Sequence, residues 1–168
     1  MSDKKGGVII NNELTDPLGN FVIDYLLSQT KETTYHDFKA TLDISKNSND
    51  FPKIIKDIYG FSNAGGGFLV LGVHENDHSD ENIKGTFAKF GLSEDFKIDP
   101  ASLQEKINSY FGDTPLNIGY TEFSRKFYGR ERNFALIYIP PSPKILIPTE
   151  DGIYKDGNNE KKAFTKDI

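Results

Sequence analysis

Apolar positions along this chain switch between a helical and a strand period, and the switches mark its elements. "GNFVIDYLLSQ" (19–29) has a short helical pattern around Asp24, Tyr25, Leu26 and Leu27 and ends before the polar cluster "TKETT". "HDFKATLDI" (36–44) then alternates, with Phe38, Ala40, Leu42 and Ile44 on one face and Asp37, Lys39, Thr41 and Asp43 on the other, which predicts a half-buried strand. Phe51, Ile54, Ile55, Ile58 and Phe61 recur at helical spacing behind Asp50 as N-cap, with Pro52 in the first turn and a stop at Asn63-Ala64-Gly65. "GFLVLGV" (67–73) is an uninterrupted apolar run, the mark of a central strand covered on both faces.

After the polar turn "ENDHSDENIKG", "DPASLQEKINSYFG" (99–112) predicts a third helix, with Asp99 as cap, Pro100 at its first position, Leu103, Ile107 and Phe111 on one face and Gly112 as stop. Two further strands are expected to flank a connection, "SRKFYGRER" (124–132), the second continuing into "NFALIYIPPSP", and "KILIPTEDGIYKDG" adds short extended pieces. Helices alternating with strands predict an α+β fold, a mixed β-sheet with helices packed on it. Residues 1–18 are polar and aperiodic at first, which predicts a flexible tail ahead of one domain over 19–168.

Composition narrows the chemistry. The 168 residues suffice for one ordinary core. No apolar run is long enough for a membrane span or shaped as a signal peptide, so no membrane partner and a cytoplasmic location are expected. Cysteine is absent, which removes disulfides and thiolate metal sites and leaves His and carboxylates as the only metal ligands. The net charge of -5 argues against indiscriminate attraction to nucleic acid. Its distribution is uneven: from Tyr120 onward nine Lys or Arg stand against seven acids, and before it eleven stand against eighteen.

Two motifs look like ready labels. Gly65, Gly66 and Gly67 suggest a phosphate loop, but such a loop needs a strand before the glycines and a helix N-terminus after them. Here they follow a helix, and no Gly-Lys-Ser/Thr is present, so they are expected to be structural. His74-Glu75-Asn76-Asp77-His78 satisfies the zinc-protease string, which works only when both histidines lie one turn apart on a helix. A strand end running into "NDHSDEN" is a poor helix, so no zinc is expected.

Taken together, "ETTYHDFKA" (32–40), "IYGFSNAGGGFLVLGVHE" (58–75) and "GIYKDGNNEKKAFT" (152–165) resemble the Schlafen AlbA domain. That family has an acid followed five residues later by an acid–aromatic–Lys triplet, a helix ending in an Asn-x-x-Gly-Gly turn, a strand closing in Gly-Val plus acids, and a late Tyr-basic-x-Gly piece. The resemblance implies a nucleic-acid-binding domain with RNA or DNA as partner. In catalytic members it also implies metal-dependent cleavage of RNA, notably transfer RNA, by a carboxylate trio. Carried over by position, the trio is Glu32, Asp37 and Glu75, both catalytic and metal-ligating, with Lys39 as the adjacent basic residue. The second acid is Asp where the pattern usually has Glu, and the third is Glu where it often has Asp.

The residues themselves are compatible with that chemistry. Asp37 and Lys39 share one face of a strand, and carboxylates suit Mg²⁺ or Mn²⁺. The same acids also allow an ordinary explanation: Glu32 in a cap, Asp37 paired with Lys39 or Lys53, and Glu75 a loop acid. Candidate nucleic-acid contacts are Lys39, Arg125, Lys126, Arg130, Lys155 and Lys161. Three functions stay open: a nucleic-acid-binding domain, a Mg- or Mn-dependent endoribonuclease, and a protein-recruiting or homodimerising module, any of them joined to further domains in a longer native chain.

Overall fold

The structure, a computed structural model, describes residues 16–143 except 47, 77–81, 83–84 and 112–114, together with the backbone of 9–10, 13–14, 153–156 and 159–162. In chain order the elements are β1 (Ile9–Ile10), β2 (Glu13–Leu14), α1 (Asn20–Ser28), β3 (His36–Lys39), α2 (Phe51–Asn63), β4 (Gly67–Leu71), β5 (His74–Glu75), β6 (Phe87–Ala88), α3 (Pro100–Asn108), β7 (Gly119–Phe127), β8 (Arg130–Ile139), β9 (Ile153–Asp156) and β10 (Asn159–Lys162). The main sheet has the order β3-β4-β8-β7, with β3 parallel to β4 and β7 antiparallel to β8. The fold is therefore α+β with a mixed sheet. Three antiparallel pairs, β1 with β2, β5 with β6 and β9 with β10, stand outside that sheet. Among the described residues, no helix is long and apolar enough to cross a membrane. Most of the expected tail, and the expected stop at Gly112, lie outside the described residues.

The chain folds into two compact units that alternate along the sequence: Met1–Thr41, Phe68–Glu94 and Gly119–Tyr138 form one, and Leu42–Gly67, Asp95–Ile118 and Ile139–Ile168 the other. In the first unit, α1 presents Val22, Ile23, Leu26 and Leu27 to Phe38 of β3, Phe68 and Val70 of β4, and Phe134 and Leu136 of β8. That spacing is one helical stripe meeting alternate positions of three strands. Each such side chain, fully buried, contributes about 1.5–3 kcal/mol. β4 is buried at all five positions, as its continuous apolar run predicts.

In the second unit, α2 buries Phe51, Ile54, Ile55, Ile58, Tyr59 and Phe61, and α3 buries Leu103 and Ile107. Tyr59 stacks on Phe111 with centroids 4.6 Å apart and donates its hydroxyl to the Tyr110 carbonyl. Asp99 caps α3 as expected, its carboxylate accepting the Ser102 N–H at 2.9 Å. Asp50 is the N-cap of α2, but its side chain accepts no capping bond; its carboxylate lies 3.5 Å from the Lys53 ammonium.

Two expectations are corrected. β3 ends at Lys39 and does not reach Ile44. The Lys39 carbonyl accepts both the Gly72 and the Val73 N–H. Gly72, at φ +103°, turns the partner chain there, so the parallel ladder has nothing further to pair with. Leu42 is still buried, but Ala40 is exposed. Similarly, "SRKFYGRER" is no connecting loop, because β7 and β8 run through it and leave only Tyr128-Gly129 between them. Both residues have positive φ, +51° and +82°, as a tight two-residue hairpin turn of right-handed twist requires.

Ala64 is the C-cap of α2, and the glycines after it turn the chain away. Gly65 and Gly66 both sit at φ +103°, and the Gly66 N–H reaches back to the Phe61 carbonyl at 2.7 Å. A Cβ on Gly66 would lie 3.0 Å from the Ile139 carbonyl oxygen and 3.3 Å from the Pro141 ring. Gly66→Ala is therefore expected to lower folding stability by about 1–3 kcal/mol. Urea unfolding measures this, and an ATP titration alongside should show no nucleotide site lost with the glycine.

Candidate functional site

The acids of the "ETTYHDFKA" segment meet at one backbone group. β3 is an edge strand, and the Phe38 N–H is shared by the Glu32 carboxylate and the Asp37 carboxylate, each at 3.1 Å. Asp37 also acts on Glu32 directly, raising its pKa. Lys39, two residues along and on the same face, holds Asp37 at 2.6 Å. The Asp37–Lys39 ion pair left open by the sequence is thus formed, and Lys53 belongs to Asp50 instead.

The loop that brings Glu32 to the strand is tied down from inside. His36 is fully buried, its Nδ1 lies 2.6 Å from the Thr33 hydroxyl, and its carbonyl accepts the Thr33 N–H. Burial holds the imidazole pKa below its ordinary value. Tyr35 and Tyr25 bridge the loop to α1 through hydroxyls 2.9 Å apart.

Electrostatics mark the pair. Loss of water around the Glu32 carboxyl, with the hydrogen bond and negative charge of Asp37, pushes its pKa from an ordinary 4.5 to about 7, against the lowering pull of the Phe38 N–H. Lys89, which the sequence did not single out, is buried beside this strand. Its ammonium donates to the Gln29 carbonyl at 2.9 Å and lies 5.7 Å from the centre of the Phe38 ring, and burial lowers its pKa. A lysine ordinarily reads as solvated, and the tertiary packing shows this one, flanked by Phe87-Ala88 and Phe90, to be buried.

Glu75 is placed differently. It lies in β5 opposite Phe87 and is exposed. Among the described residues, no group of three His, Asp or Glu side chains is arranged to hold a metal ion. The structure thus joins Glu32 and Asp37 and does not add Glu75 to them as a three-ligand set. The turn at Gly72 and the separate β5–β6 pairing set its course. His74 and Glu75 form a strand, which lacks the one-turn spacing of the zinc motif, and His78 lies outside the described residues.

The basic candidates separate by strand alternation. Residues directly opposed across the hairpin share a face, so Arg125 with Arg132, and Phe127 with Arg130, lie on one side, and Lys126 with Glu131 on the other. Arg125 is engaged: it donates to Asp24 and Asn20 of α1, each at 2.9 Å, and stacks on Phe123. Lys126 and Arg130 are exposed. Lys155 and Lys161 lie on β9 and β10, opposite Glu160 and Tyr154, and their side chains are outside the described residues.

A mixed sheet with three helices, carrying an acid pair and a lysine on its edge strand, defines an α+β domain with an acidic centre. The chain belongs to the Schlafen, AlbA_2 family, whose model matches residues 32–165, beginning at the first acid of the pair. No match is found among the curated proteins.

The raised pKa has a sign that can be measured. Between pH 4.5 and about 7 the unfolded chain gives up the Glu32 proton while the folded chain keeps it. Stability from this group therefore falls as pH rises through that window and stays low above it. Glu32→Gln keeps the shape and removes the repulsion. Allowing for partial exposure to water, it is expected to raise the melting temperature by about 1–3 °C at pH 8 and to change it little at pH 4.5. Thermal melts across that pH range check this.

Proposed function

We propose that this domain binds the phosphate backbone of RNA or DNA. The observation that carries the proposal is membership of the Schlafen, AlbA_2 family over residues 32–165. Lys126 and Arg130, exposed beside the turn of the β7–β8 hairpin, supply local positive charge on a chain that is acidic in total. Such contacts release counterions, so affinity falls steeply with salt. Charge reversal of Lys126, Arg130, Lys155 and Lys161 is expected to weaken binding similarly for different sequences and to flatten the salt slope by about one per lost phosphate contact. Fluorescence anisotropy over a salt series measures both. Unchanged binding in that variant would remove this surface from the proposal.

A second reading, metal-dependent cleavage of RNA, is favoured by the Glu32–Asp37 pair. Mg²⁺ or Mn²⁺ takes oxygen ligands and is often held by one or two carboxylates together with substrate phosphates and water, so this donor set fits either ion. Glu32 and Asp37 would hold the ion, with Glu75 of β5 as a candidate third carboxylate. A bound ion would activate water and neutralise charge on a scissile phosphate. Lys39 balances the charge of Asp37 beside it. The Glu32→Gln, Asp37→Asn variant is expected to retain or improve binding and to abolish any Mn²⁺-dependent cut of transfer RNA on a gel. Cleavage that persists without both acids would overturn the site.

Zinc is not the metal proposed, since His74 lies on a strand. Protein purified without chelator is expected to contain well under one zinc per chain by metal analysis. Full occupancy lost in a His74→Ala, His78→Ala variant would contradict this.

A further inference from the structure

Among the described residues, the large hydrophobic side chains left exposed are all aromatic: Phe21, Tyr25, Tyr35, Phe90 and Tyr128. All five belong to the unit that holds the acid pair. Exposed rings serve protein partners as well as nucleobases, and membership of the Schlafen, AlbA_2 family favours nucleic acid here, whose unpaired bases offer a π face to stack on.

Phe90 and Tyr128 make the most structured part of this surface. They are 51% and 59% exposed, with ring centroids 5.6 Å apart. The Arg132 guanidinium lies 5.2 Å from the Tyr128 ring centre and 5.9 Å from that of Phe90. It is fixed there by donating from Nε to the Phe127 carbonyl and from Nη1 to the Phe90 carbonyl, both at 2.9 Å. The Tyr128 hydroxyl accepts the Lys89 N–H at 3.1 Å, so this ring is held at both ends. Tyr128 also adopts φ +51°, a conformation that asparagine or glycine would take with less strain. The hairpin tip thus keeps an exposed ring where a smaller residue would turn more easily. Arg130 lies on the same face as Arg132 and is exposed.

We propose that Phe90 and Tyr128, held by Arg132, form a stacking platform for an unpaired nucleobase, with Arg130 contacting the adjoining phosphate. The ligand is then single-stranded or looped nucleic acid, because bases inside a duplex are already stacked and offer only their edges. The platform rests on nucleic acid being the ligand proposed above and adds which form of it is taken.

The test uses the full chain and one mixed-sequence RNA, offered as a fluorescein-labelled single strand, as the matching duplex, and as a single strand containing 2-aminopurine. Phe90→Leu keeps an apolar side chain at an exposed position. Tyr128→Asn removes the ring and leaves Asn-Gly, a favoured pair for this turn, so both variants are expected to fold. Each is expected to lose about 5- to 50-fold in single-strand affinity, with duplex affinity unchanged and the 2-aminopurine quenching abolished. Undiminished single-strand affinity in the folded double variant, or equal loss for duplex, would overturn the platform. If Lys126→Glu, Arg130→Glu still weakens binding in that case, the backbone-binding proposal survives alone. Absence of binding to any probe by the unaltered protein would overturn both.

Discussion

The backbone N–H of Phe38 joins the core of the first unit to its candidate site. The ring of this residue is 4% exposed, packed among α1 and the central strands, and in contact with Phe87 and His36. Its N–H faces the edge of the sheet, where no further strand among the described residues takes it, and two carboxylates satisfy it instead. An edge strand normally leaves such donors to water or to another chain. Here that donor is shared by Glu32 and Asp37, which brings the two carboxylates to one backbone group. Because the ring is locked by packing, the acids inherit a fixed position from the core.

Cations in this molecule serve the fold as much as the surface. Lys39 neutralises Asp37, Arg125 ties β7 to α1, Lys89 is withdrawn into the interior, and Arg132 joins the hairpin to the Phe90 segment through the Phe127 and Phe90 carbonyls. Net charge is therefore a poor guide to where an anionic ligand would be met. Among the described residues, the sequence candidates that remain exposed are Lys126 and Arg130, at one end of one hairpin. Two charges give modest attraction on their own, and fixed aromatic faces nearby add a contribution that salt does not screen.

Positive-φ positions divide the work of turning the chain. Gly66 ends α2 against the Ile139 carbonyl, and Gly72 ends the β3–β4 pairing. Neither glycine has the strand-before, helix-after setting that cradles phosphate. Tyr128 does the same task at the hairpin with a side chain that glycine would not provide.

What the sequence determined by itself is local and periodic. The helical stripe of α1, the spacing of α2, the Asp99 cap with Pro100, and the all-apolar run of β4 each follow from residues within one or two turns of each other, and each is present. Asp37 and Lys39 sharing a face also follows from alternation alone. The end of β3, the burial of Lys89, the engagement of Arg125 and the pairing of Glu75 were decided by tertiary structure. Each depends on a partner far along the chain: Gly72 for Lys39, Gln29 for Lys89, Asp24 for Arg125, Phe87 for Glu75. Periodicity reports which face of an element is apolar, but the partner of a polar group is chosen by whatever the folded chain brings within about 3 Å of it.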